Sequence, residues 1–207
     1  MKVAVINFGM GNLASVRRAF EDMGAEVLVA NHPAAIYDAN RIVLPGVGAF
    51  SEGMACLNDA GWGTALHEVV INQGKPLLGI CLGMQMLATT GHEGGETKGL
   101  GLIPGDVKRL DAVGCKFRVP HVGWNDVKYL KNDTLFNGIP DASDFYFVHS
   151  YTFVPESPAH LIATTSYDCN VAAAIRNGNV FGCQFHPEKS SKAGRLLLRN
   201  FMDYVSC

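Results

Sequence analysis

The sequence predicts a single α/β domain over residues 1–207, built on a mixed, largely parallel central sheet flanked by helices. Short apolar runs alternate with segments of helical period through the first half, the pattern of parallel strands joined by crossover helices. Beyond about Gly99 strand-like segments crowd together. Asn177-Gly178 between two of them is a tight-hairpin signal, because both turn positions favour positive φ. No linker, repeat or shift in composition divides the chain.

Residues 2–7 read as the first strand. Leu13, Val16, Phe20 and Met23 then recur at helical spacing, with Asn12 placed to cap the start and Gly24 to stop the end. Residues 27–30 and 41–44 are the next strands, the second running into the loop Pro45-Gly46-Val47-Gly48. Ser51 heads a helix to about Asn58 and Thr64 another to about Gln73, after which residues 76–80 form a buried strand that enters a helix at Cys81. The strands expected later are 106–110, 116–119, 145–153, 160–166, 171–176 and 180–185. A last helix, capped by Ser190 or Ser191, presents Leu196, Leu197, Arg199, Phe201 and Tyr204.

A chain of 207 residues with 48% hydrophobic and 17% charged residues can bury an ordinary core without disulfides or metals. Its net charge of -2 and the lack of any Lys/Arg block exclude a general attraction for nucleic acid or an anionic membrane. The start turns polar too soon for a secretory signal, and the apolar stretch around 77–90 is broken by Gly79, Gly83 and Gln85. A soluble, cytoplasmic protein is therefore expected. None of the six cysteines stands in a C-x-x-C pair, and reduced thiols are the reading for a chain of this size.

Gly79-Ile80-Cys81-Leu82-Gly83 has the form of a nucleophile elbow with cysteine in the place of serine. In such an elbow a strand turns sharply into a helix, and the residues two before and two after the nucleophile approach each other. Both must be small, and here both are glycine. A helix start carries partial positive charge, which favours a thiolate, and leaves the Leu82 N–H available to an oxyanion. An isolated cysteine is more simply a core residue. The glycine frame singles out Cys81, while Cys56, Cys115, Cys169, Cys183 and Cys207 lack it and are expected as small core residues. Gln85 lies one helical turn beyond Cys81 on the same face.

Phe185-His186-Pro187-Glu188 follows an apolar strand, at the strand end where ligands collect in open α/β sheets. The proline keeps His186 extended, and side chains two apart in extended chain point the same way, so Glu188 can reach the His186 ring. A carboxylate on one ring nitrogen fixes the tautomer and leaves the other nitrogen free to take a proton from a thiol. Spacing alone also fits a surface loop; the order Cys, His, Glu together with the elbow is what points to acyl transfer. His32, His67, His92 and His160 read as surface or packing residues. His121 and His149 stand in polar contexts inside apolar segments, which raises a metal site. No H-E-x-x-H or close ligand pair supports one, and neither metal nor cofactor is expected. Gly9-Met10-Gly11-Asn12-Leu13-Ala14 formally fits a dinucleotide-binding loop, but the next strand ends Val29-Ala30-Asn31 without the required carboxylate, and that reading is set aside.

These residues resemble the class I glutamine amidotransferases, over essentially the whole chain. Gly79-Ile80-Cys81-Leu82-Gly83-Met84-Gln85 is similar to that family's nucleophile motif and Gln184-Phe185-His186-Pro187-Glu188 to its His-Glu motif. Pro45-Gly46-Val47-Gly48 looks like the loop that gives a second oxyanion donor and touches glutamine. The branch of glutaminase subunits of imidazole glycerol phosphate synthase, in histidine biosynthesis, is closer still. Asn7-Phe8-Gly9-Met10-Gly11-Asn12, Pro120-His121-Val122-Gly123-Trp124-Asn125, Tyr146-Phe147-Val148-His149-Ser150-Tyr151 and Glu188-Lys189-Ser190 carry that likeness.

The resemblance implies a class I amidotransferase-like fold and hydrolysis of glutamine to glutamate and ammonia, with Cys81 as nucleophile, His186 as base and Glu188 orienting it. It implies an oxyanion hole from Val47, Gly48 and Leu82, and glutamine contacts from Gly48, Gln85, Ser150 and Tyr151. It also implies a heterodimer in which ammonia passes to a separate (β/α)₈-barrel cyclase, with Gly11, Asn12, Trp124 and Lys189 at the interface. Two other enzymes fit the triad: an amidotransferase supplying another acceptor such as a nucleotide-linked sugar, and a partner-independent cysteine hydrolase. Indifference to the cyclase marks the first, and activity on simple esters but not on glutamine marks the second. A non-catalytic binding subunit is disfavoured by the intact triad, and an adduct at Cys81 excludes it.

Overall fold

The computed structural model describes residues 1–205. In chain order the elements of the first half are β1 (Lys2–Ile6), α1 (Leu13–Glu21), β2 (Glu26–Ala30), β3 (Arg41–Gly46), α2 (Phe50–Asp59), α3 (Trp62–Leu66), β4 (Leu77–Cys81) and α4 (Leu82–Met86). The strands β5 (Thr90–Gly91), β6 (Thr97–Lys98), β7 (Gly105–Arg109), β8 (His121–Tyr129), β9 (Ser143–His149) and β10 (Tyr151–Pro155) follow. The chain then forms β11 (Leu161–Tyr167), β12 (Cys169–Asn177), β13 (Val180–Cys183) and α5 (Ser191–Asp203).

Among the described residues nine strands form one sheet in the order β2-β1-β3-β4-β13-β12-β11-β8-β9. Pairing is parallel from β2 to β13 and antiparallel from there to β9. A smaller sheet runs β10-β7-β5-β6. Strand alternation puts Ala4, Ile6, Ile42 and Leu44 in one apolar layer with Phe50, Trp62 and Met84. Val3, Val5 and Val43 lie in the other, with Phe181, Leu197 and Phe201. Both faces of β1, β3, β4 and β13 are thus buried, so in sequence they are nearly unbroken apolar runs, while the edge strand β2 is only partly covered. The expected α/β architecture with helix-flanked mixed sheet is what forms. No helix among the described residues is long and apolar enough to cross a membrane.

The departures from expectation have local causes. Residues 116–119 form no strand; Cys115 is joined to Cys169 and Lys116 N–H donates to Asp168 Oδ2 at 2.6 Å, so side chains and not a ladder hold this stretch. That bond also corrects the expectation of reduced thiols. The two sulfurs are 54 residues apart, and only the fold brings them together. β8, rich in Gly123, Asn125 and Asp126, forms instead through its partners β9 and β11. The single strand expected over 145–153 is two: the chain leaves the large sheet after His149 and joins β7 of the small one from Tyr151. α2 starts at Phe50, ahead of Ser51, and its first N–H is capped from outside by Glu93 Oε2 at 2.8 Å. α3 starts at Trp62 and continues as a π-helical turn, His67–Asn72. Asn12 and Ser190 occupy N-cap positions without making a side-chain cap. Ser190 Oγ instead donates to His186 O at 2.6 Å and accepts from Tyr146 N–H at 3.0 Å. Cys183 is a buried core thiol whose pKa burial pushes well up, Cys56 is half-buried, and Cys207 lies outside the described residues.

Candidate active site

β3, β4 and β13 are adjacent, and their C-terminal ends deliver three parts of one site. Cys81 ends β4 at φ 55° and ψ -112°, a conformation that costs a non-glycine residue about 1–3 kcal/mol. It persists because β4 is clamped on both sides, Gly46 opposite Cys81 and Cys183 opposite Ile80. The two glycines do what the elbow requires. A Cβ on Gly79 would lie 2.7 Å from Gly83 O, and one on Gly83 would lie 2.8 Å from Leu44 C and on top of its carbonyl oxygen.

His186 follows β13 at φ -98° and ψ 94°, its N–H donating to Tyr146 O at 2.9 Å. Glu188 then reaches back, with Oε1 2.8 Å from His186 Nδ1. The contact is made by a tight turn over Pro187–Lys189, where the sequence argument relied on extended chain. Both side chains are buried, 3% and 1% exposed, so the pair is shielded from solvent and from salt. His186 Nε2 makes no hydrogen bond among the described residues and shares a cavity with Cys81. Burial opposes a charge on His186, but Cys81 and Glu188 outweigh it and push the pKa up to about 9. The arrangement favours an imidazolium at neutral pH, ready to protonate a leaving group.

The cavity, of about 360 Å³, is lined by Cys81, His186, Val47, Gly48, Leu82, Gln85, Ser150 and Tyr151, so two of the three expected catalytic residues meet those expected for oxyanion binding and glutamine contact, while Glu188 joins through His186 and is not part of the lining. Gln85 Nε2 also donates to Tyr151 O at 3.1 Å and to Gln184 Oε1 at 3.0 Å. The Val47 N–H is directed to Met10 O at 3.4 Å, which leaves the amides of its cavity neighbours Gly48 and Leu82 as the other expected oxyanion donors. Of the four expected interface residues, Trp124 is 55% exposed and Lys189 is exposed, with its Nζ 5.9 Å from the Tyr146 ring. Gly11 packs against Pro45, and its half-buried neighbour Asn12 leads into α1.

Sequence reasoning missed Glu93, a cavity carboxylate from the loop between β5 and β6, and Gln184, whose Nε2 lies 3.7 Å from Cys81 Sγ. Gln184 was visible beside His186. Glu93 carries no sequence signal, since only the α2 contact and the small sheet bring it to the cavity. Among the described residues no three of His, Cys, Asp and Glu cluster to hold a metal ion.

The family described as class-I glutamine amidotransferase matches residues 4–204. "Imidazole glycerol phosphate synthase subunit HisH" of Moorella thermoacetica is 49% identical over 203 residues, 98% of this chain and 95% of that protein. The protein of the same description from Halobacterium salinarum is 45% identical over 211 residues, 99% and 94% of the two chains. A solved structure described as PurLQS from Thermotoga maritima superposes with a TM-score of 0.77 at 22% identity, covering 98% of each chain, which is a likeness of fold.

Proposed function

Because the chain belongs to the class-I glutamine amidotransferases, we propose that it is the glutaminase subunit of an imidazole glycerol phosphate synthase, residues 1–207 forming one catalytic domain. The observation that carries the chemistry is the thiol of Cys81 at a strained elbow, in one cavity with a buried His186–Glu188 pair. Identity of 49% over nearly the whole chain carries the pathway.

In this reading Cys81 Sγ, its proton held by His186 Nε2, attacks the side-chain amide carbon of glutamine, and the Gly48 and Leu82 amides receive the oxyanion. Imidazolium at His186 gives its Nε2 proton to the departing nitrogen, leaving a thioester. Neutral His186 then takes a proton from water, which attacks the thioester and releases glutamate; Glu188 holds Nδ1 throughout. Glu93, the carboxylate in the cavity that the triad does not use, pairs with the substrate's α-ammonium. Glu93→Gln is expected to raise KM for glutamine about tenfold while kcat changes less; an unchanged KM removes that role.

The imidazolium form is present below about pH 9, so kcat/KM is expected to fall as pH rises through about 9. Removing the carboxylate that supports the charge, by Glu188→Gln, moves that limb to lower pH. Initial rates against pH for the two proteins check both the limb and its displacement. A chloroketone derived from glutamine is expected to add to Cys81 alone, with glutamine protecting; an adduct elsewhere contradicts the site.

The cyclase is assigned to the exposed face at the rim of the cavity. Val122 and Trp124 on β8 stand opposite Val148 and Tyr146 on β9, and the first three are 56%, 55% and 38% exposed. Val148 also lines the cavity. Lys189, over the Tyr146 ring, adds a cation beside this apolar patch, and the loop carrying Gly11 and Asn12 adjoins the Pro45–Gly48 loop. A partner seated there receives ammonia without its passing through bulk water.

A further inference from the structure

His121 and His149 face each other across the β8–β9 pairing, 3% and 5% exposed, with His121 Nδ1 2.9 Å from His149 Nε2. The direction of each bond follows from the last acceptor. Tyr151 O can only accept, so His149 Nδ1, 2.8 Å away, carries the proton and donates to it. Neutral His149 then accepts at Nε2, His121 donates from Nδ1, and His121 Nε2 accepts from Asn125 Nδ2 at 3.3 Å. Asn125 is held in turn, donating to Ser166 O at 2.8 Å and accepting from Asp126 N–H at 3.0 Å. Phe147 and Tyr167 stack on the His121 ring, with centroids 4.9 and 4.1 Å away.

The other end of this chain of bonds is the thiol. Tyr151 O also accepts from Gln85 Nε2, Gln85 donates on to Gln184 Oε1, and Gln184 Nε2 approaches Cys81 Sγ. Tyr151 is the first residue after the strand has left the large sheet, so the corner at Ser150 lies between two ladders. The His149 side chain ties that corner down.

We propose that His121 and His149 are positioning residues for the glutaminase: with both rings neutral they fix the Ser150–Tyr151 corner against Gln85 and so set the shape of the glutamine pocket. The inference rests on the glutaminase reading above. A proton added to either ring sets two donors against each other, at the contact between the rings or at Asn125. The ionisable groups facing the pair are Tyr167 on β11 and His186 after β13, β10 contributes only the Tyr151 carbonyl, and no carboxylate among the described residues hydrogen-bonds either ring. Burial lowers both imidazoles to about 4, so the corner is held at neutral pH and loosens as pH falls toward that value.

The test is steady-state glutamate release by the full chain with the barrel cyclase. His121→Phe keeps a ring but removes donor and acceptor; KM for glutamine is expected to rise about tenfold, with kcat within about threefold of wild type. His121→Gln, whose amide can still donate to His149, is expected to bring KM back to within about threefold. A folded His121→Phe protein with the wild-type KM, or a His121→Gln protein as impaired as His121→Phe, overturns the proposal. If His121→Phe does not fold, wild type decides: KM rises as pH falls from about 5 to about 3.5 while the melting transition persists, and a flat KM there overturns it. Wild type that leaves glutamine untouched overturns the glutaminase reading as well, whereas a normal wild type beside an unaltered His121→Phe protein overturns this inference alone.

Discussion

Cys81→Ala is expected to lower glutamate release in the presence of the cyclase by at least about 10³-fold, with the fold and partner binding unchanged. The proposed pathway runs through a thioester at Sγ, and nothing else in the cavity can replace that sulfur: Cys183 is wholly buried on β13 beside β4, and Cys56 lies on α2 outside the cavity. Alanine tolerates the backbone conformation at least as well as cysteine, so the loss is chemical. Binding should survive, because Gln85, Glu93, Ser150 and Tyr151 stay where they are. A single-turnover assay at saturating glutamine, with calorimetric binding to the cyclase as control, reads both halves. Residual activity within about tenfold of wild type removes Cys81 as nucleophile.

The second large effect is structural. Gly83→Ala puts a methyl group onto the Leu44 carbonyl, and the atoms it meets are backbone, which cannot rotate away as a side chain can. β3 must move from β4, or α4 must lift, and either dislocates Cys81 from His186. Overpacking of this kind typically costs 1–3 kcal/mol, and a collision with two fixed backbones is expected at or above about 3 kcal/mol, lowering Tm by roughly 10 °C and activity by more than tenfold. Gly79→Ala, meeting Gly83 O and Met84 Cα at 2.7 and 2.8 Å, is expected to behave alike. Thermal melting by circular dichroism checks it. A Tm within about 2 °C of wild type means that the elbow is looser than these distances state.

The nucleophile and the need for small residues at 79 and 83 were legible before the fold was known, because strand, nucleophile and two glycines lie within five positions; the Leu44 carbonyl that Gly83 meets was not. The parallel half of the sheet was legible for a related reason, since strands buried on both faces must be apolar throughout. The antiparallel half was read less well. β8 mixes polar and apolar residues on both faces, with His121 buried and Val122 and Trp124 exposed, and is stabilised by β9 and β11, so its own composition says little. The corner at Ser150 is equally silent, because apolar alternation continues through it while the chain changes sheets. Glu93, the His121–His149 pair and the Cys115–Cys169 bond depend on contacts between distant residues and have no signature in spacing. The triad stands between these cases. His186 and Glu188 are neighbours in sequence and were found, although the turn over Pro187–Lys189 and not an extended chain brings them together.

The most direct measurement is glutamate release from glutamine by the wild-type chain, alone and with the imidazole glycerol phosphate synthase cyclase and its ribonucleotide substrate. The account predicts that cyclase and ribonucleotide together accelerate glutamine hydrolysis, with ammonia appearing in the cyclase product and little in solution. Hydrolysis that ignores that cyclase contradicts the assigned partner. Glutamine left intact in the complete mixture contradicts the proposed function itself.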